Sequence, residues 1–233
     1  MATIIRTTVL LCLLQFILPS LAKQNRTLTG YTSDTVPKVS LNSTQNEPNY
    51  TAPYFPLLGF KQYPNNPILG PNKKASWESA YLYNPASIVI DNKVWLLYRA
   101  QNESLVSSIG LAWSTDGFNF TRYTKPVVQP SEPYETKGTE DPRVVRINGT
   151  FYMTYTGYDG TLAKLCMATS TDLVNWTKYG PILPNITDVN YRWDLPINAY
   201  TAREGWSKSG AIIMEKINGL YQMQFGVSKL RSP

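Results

Sequence analysis

The chain has 233 residues, with 22 Lys and Arg against 16 Asp and Glu, a net charge of +6 and no histidine. Its basic residues are scattered and cluster no further than Lys73-Lys74, which excludes the patch or stripe that nucleic-acid binding needs. Charged residues are few at 16% and aromatics plentiful, with 16 Tyr and 6 Trp, a mixture that suits a β-rich extracellular protein whose rings face a core or a sugar.

Residues 1–22 read as a secretory signal peptide. Arg6 supplies a basic start, residues 9–18 form an apolar run too short to span a bilayer, and Ser20-Leu21-Ala22 puts small residues at a cleavage site after Ala22. The mature chain is expected to be secreted, with no membrane partner once the signal is cut. Sequons stand at Asn25, Asn42, Asn49, Asn102, Asn119, Asn148, Asn175 and Asn185, well above the roughly three that chance would give, so a glycosylated surface is expected. Three of them (Asn119, Asn148, Asn175) fall in repeated hairpin motifs and so carry less weight. Cys12 leaves with the signal peptide, and Cys166 is then alone in LAKLCMATS. No intramolecular disulfide is possible, and a thiol without a histidine partner reads as a buried apolar side chain.

Residues 23–55 are rich in Asn, Ser, Thr and Pro and lack an apolar period; they read as a solvated, disordered leader. From residue 56 to 226 strands dominate. ASIVIDNKVWLLYRA (86–100), PRVVRINGTFYMTYTG (142–157) and AIIMEKINGLYQMQFG (211–226) each place two strand-like runs around Asp91-Asn92, Asn148-Gly149 or Asn218-Gly219. Such dipeptides favour two-residue hairpin turns, which need positive φ at their centre. The first two hairpins are each followed by a second matching pair, IGLAWSTDGFNFTRY and CMATSTDLVNWTKY, at an offset of about 56 residues. Four strands per unit with no intervening helix predict an all-β propeller. Only two units and the first hairpin of a third are present before the divergent 227–233, about half of a ring, so the chain by itself is expected to be inactive.

NPILGPN, NPASIVIDNKVWLLYRAQ, EDPRVVRINGTFYMTYTGYDG, STDLVNWTKYGPILP and KSGAIIMEKINGLYQM together resemble glycoside hydrolase family 130 over residues 62–226. The resemblance implies a five-bladed β-propeller that acts on β-linked mannosides as phosphorylase or hydrolase, with no cofactor and no metal. It makes Asp141 the general acid. Pro142 is expected to hold Asp141 in an extended conformation, and the inner strand of each blade to deliver Glu140, Asp141 and Arg143 to the central funnel. Asn84 stands at the position equivalent to Asp141 in the first repeat, and Lys208 near it in the third. Arg99 and Lys208 resemble phosphate-binding positions of the phosphorylases. Their histidine, however, is replaced in the stretch Met223-Gln224-Phe225-Gly226, so phosphate is not expected as a partner and inverting hydrolysis is the expected reaction. A base for the water would come from Glu135, Asp194 or Glu204. Trp77, Tyr155 and Tyr158 are candidate sugar platforms, with Asp159 beside Tyr158 to bind hydroxyls. Two other readings stay open: a non-catalytic carbohydrate-binding propeller, and a related five-bladed arabinan or fructan hydrolase.

Overall fold

The computed structural model describes residues 30–45, 61–184 and 206–228. Within these the hairpin turns form as their sequences require. Asp91 and Asn92, Asn148 and Gly149 all have positive φ, as does Asn218 with Gly219, the backbone that lets strands of natural twist join in two residues.

The first blade runs β2 (Tyr81–Ile90), β3 (Lys93–Gln101), β4 (Ser107–Ser114) and β5 (Thr121–Tyr123), each antiparallel to the next. The second repeats it with β6 (Gly138–Ile147), β7 (Thr150–Tyr158), β8 (Ala163–Ser170) and β9 (Thr177–Pro181). A hairpin follows, β10 (Trp206–Ile217) with β11 (Leu220–Ser228). In backbone pairing, a parallel bridge from Ser107 to Gly138 links blades one and two. This is the all-β propeller that the repeat predicts: two blades and the inner hairpin of a third.

Both faces of a blade are covered, so both faces of its strands are apolar. In β3, Trp95 and Leu97 face the second blade and meet Phe151, Met153 and Tyr155 in one core cluster. Tyr98 and Ala100 point the other way, into a second cluster under Ile68, Leu69 and Trp77. Cys166 is fully buried, and burial pushes its thiol up to about 12, so it is inert packing.

One expectation fails. Part of the leader is packed: a short strand, β1 (Tyr31–Ser33), pairs in parallel with β5, and Val39 enters the inter-blade core at 5% exposure. Composition hid this, because a strand of three residues and one buried valine leave no periodic signal. The rest of the leader and the signal peptide lie outside the described residues.

Candidate active site

The inner strands β2, β6 and β10 share one irregularity. Their pairing slips between Tyr83 and Ala86, between Glu140 and Arg143, and between Lys208 and Ala211. At each slip one residue is left-handed: Asn84 with φ 49°, Asp141 with φ 51° and Ser209 with φ 58°. Asp141 is thus not in the extended conformation expected from Pro142. The bulge wins over the proline's preference, and Asn and Asp are the residues that tolerate this backbone with least strain. A bulge re-aims its side chain, and here two bulges on adjacent blades aim at each other. The Asn84 side-chain amide donates to Asp141 Oδ1 at 2.7 Å.

Arg99 completes the cluster. Its Nη1 donates to Asp141 Oδ1 at 3.2 Å, its Nη2 to Glu140 Oε1 at 2.7 Å and its Nε to Ser107 Oγ at 2.9 Å. The guanidinium lies 4.7 Å from the centre of the Tyr83 ring, a cation–π contact. Ser107 uses its full hydroxyl capacity: it accepts from Arg99 and from Gln101 Nε2, and donates to Glu140. Burial raises the Glu140 carboxyl above its ordinary range and the Asp141 charge adds to the rise, while Arg99, the Ser107 hydrogen bond and nearby Lys208 pull it back. Two carboxylates therefore share one cation in a site where the side chains of Arg99, Glu140 and Asp141 are 15%, 11% and 13% exposed. The second oxygen of Asp141 has no hydrogen-bond partner among the described residues.

The structure brings Asn84, Arg99, Glu140 and Asp141 together, with Lys208 close enough to Glu140 to act on its charge. Other expected residues are elsewhere. Arg143 is exposed, donates to the Pro142 carbonyl at 2.9 Å and lines a separate pocket with Ser87, Val145 and Ile212. Asp159 Oδ1 accepts from the Thr161 and Leu162 amides, so that oxygen caps a turn, and the residue makes no bond to the Asp141 cluster. Tyr158 donates to the Gly160 carbonyl and packs on Trp206 at 5.8 Å. Trp77 donates to the Thr124 carbonyl and stacks on Tyr98 in the core, and Tyr155 is buried; neither is a sugar platform. Glu135 is fully buried, bonded to Tyr155 and paired with Lys178, which removes it as a base for water. Asp194 and Glu204 lie outside the described residues. Of the sequons, Asn119 and Asn175 donate their side-chain amides to Asp116 and Asp172 within matching turns, as expected of motifs owed to the fold. Asn42 and Asn148 are exposed and Asn102 half-buried, while Asn25, Asn49 and Asn185 lie outside the described residues. The sequence reading missed Tyr83, Gln101 and Ser107, which surround Arg99.

The site is thus a bulged inner strand bearing Glu-Asp-Pro-Arg, set on propeller blades. Residues 60–232 match the family described as β-1,4-mannooligosaccharide phosphorylase, and the chain belongs to it, glycoside hydrolase family 130. It is 38% identical over 173 residues to a β-1,2-mannobiose phosphorylase of Thermoanaerobacter sp. (strain X514), covering 67% of this chain and 51% of that protein. A 1,2-β-oligomannan phosphorylase of the same strain is 33% identical over 177 residues, 72% of this chain and 53% of that one. A solved structure whose description says that the family "contains glycoside hydrolases that target β-1,2 mannosidic linkages in Candida mannan" superposes with a TM-score of 0.61 at 30% identity, over 78% of this chain and 56% of the other. The family fold is the five-bladed propeller, and the chain spans about half the length of these relatives.

Proposed function

We propose that the ring to which these blades belong cleaves β-linked mannosides, with Asp141 as the general acid. The observation that carries this is the hydrogen-bonding of Asp141. Asn84 and Arg99 both donate to Oδ1, which fixes the carboxyl group and leaves Oδ2 as the atom that can pass a proton to the leaving group. Glycoside cleavage with inversion needs that donor on one side of the ring and a nucleophile on the other.

Water is the nucleophile we favour, although the two Thermoanaerobacter relatives are phosphorylases. A phosphate site needs cations whose charge is not already compensated. Arg99 is committed to Glu140 and Asp141, and Lys208 lies over the Trp206 ring at 5.2 Å and beside Glu140. Incubation of a closed-ring form with β-1,2-mannobiose is therefore expected to release free mannose at a rate independent of inorganic phosphate. Formation of mannose 1-phosphate that rises with phosphate would replace hydrolysis by phosphorolysis, and binding without either product would make the ring a carbohydrate-binding module.

The signal-like residues 1–22 and the sequons support a second proposal, that the mature chain is secreted and N-glycosylated. Its amino terminus is expected at Lys23, with an apparent mass that falls when N-glycans are removed enzymatically. An unmodified intracellular chain beginning at Met1 would contradict this.

A further inference from the structure

Residues 30–45 precede the region shared with the family, which begins at residue 60, yet they touch both blades. At one end β1 extends the first blade in parallel with β5, where the Tyr31 amide donates to the Phe120 carbonyl at 3.1 Å and the Thr124 amide to the Ser33 carbonyl at 3.2 Å. In the middle Val39 is buried among the side chains where the two blades meet. At the other end Thr44 exchanges two hydrogen bonds with Asp91, its amide to Asp91 Oδ1 at 2.8 Å and its carbonyl from the Asp91 amide at 2.9 Å.

Arg146 makes the attachment to the second blade. It is 8% exposed, stacks over Phe151 at 5.2 Å, and donates to the Ser43, Ser40 and Leu41 carbonyls at 2.5, 2.8 and 3.3 Å. All three acceptors belong to the leader segment. A buried guanidinium is costly unless its donors find acceptors, and Nη1 and Nη2 find theirs in this segment, while Nε has none among the described residues.

The placement of these anchors reaches the active site. Asp91 directly follows β2, whose other end carries Asn84, and Arg146 lies on β6, whose other end carries Asp141. We propose that residues 30–45 form an inter-blade clamp, in which Arg146 and Asp91 fix β6 against β2 and so hold the Asn84–Asp141 pair in register. Arg146 is then a positioning residue. The clamp stands as a claim about the fold whether or not the ring cleaves mannosides.

Hydrogen exchange on the full chain tests it. In Arg146→Met the amides of Thr44 and Asp91 are expected to exchange on the order of tenfold faster, and the Asn84 side-chain amide resonance to shift or broaden. The Thr161 and Leu162 amides, bonded to Asp159 in the turn that follows β7 and to which no residue of 30–45 is hydrogen-bonded, serve as the unaffected reference. Thr44→Pro, compared with a parent also freed of N-glycans because Thr44 completes the Asn42 sequon, removes one clamp donor without altering either blade and is expected to give the same response at Asp91 and Asn84; it decides the matter if Arg146→Met does not fold. Unchanged exchange at Asp91 would overturn the clamp. Faster exchange there with an unmoved Asn84 side-chain signal would overturn its link to the site.

Discussion

Asp141→Asn is expected to lower turnover of a β-1,2-mannoside by about 10²–10⁴-fold in a protein whose ring is closed, the range that a general acid typically contributes. Substrate affinity should change little. The asparagine oxygen can still accept from Asn84 and Arg99, which both donate to Oδ1, so the bulge and its neighbours keep their arrangement. What is lost is the acidic proton on the second oxygen, where the variant carries an amide nitrogen instead. Asn84→Ala should act differently: the acid survives but loses one of the two donors that orient it, so the loss is smaller. Comparing kcat and mannobiose affinity across parent and both variants separates these roles. Turnover of Asp141→Asn within a few-fold of the parent would remove Asp141 from the mechanism.

How much of this was legible follows from the repeat itself. Positions kept between the blades turn out to build the fold. Tyr98 and Tyr155 occupy the same place in β3 and β7, and each donates to a buried glutamate, Glu78 or Glu135, that also meets a cation on the outer strand, Arg122 or Lys178. The Ser-Thr-Asp motifs likewise build two copies of one turn. The cluster around Asp141 uses positions where the repeat breaks. By strand register Arg99 corresponds to Thr156 and Gln101 to Tyr158. Reading Tyr155 and Glu135 as site residues failed because both belong to the conserved half of the pattern, and comparison with Tyr98 and Glu78 would have placed them in the core. Asn84 and Asp141 were found because the aligned hairpins show them at one position. Their left-handed backbone was not, since a bulge depends on how the partner strand pairs, which no local residue pattern specifies.

The largest stability effect is expected at the first of these buried pairs. Glu78 and Arg122 side chains are both 0% exposed. Arg122 donates to Glu78 Oε2 and to the Gly70 carbonyl, each at 2.7 Å, while Tyr98 and Asn72 donate to the same carboxylate. Burial raises the Glu78 carboxyl above its ordinary range, and these donors work against that rise. Removing one partner leaves the other charged group in a site without water, so Arg122→Met is expected to destabilise the fold by about 3–5 kcal/mol. The loss should be larger than for Lys178→Met in the second blade, whose side chain is 16% exposed, so that its ion pair is already partly solvated at the cationic end. Glu78→Leu combined with Arg122→Met should recover part of the loss, because desolvating a whole ion pair often costs as much as its attraction returns. Urea unfolding of the three variants and the parent reads these differences directly. An Arg122→Met midpoint indistinguishable from the parent would mean that water, and not Arg122, balances Glu78 beneath the first blade.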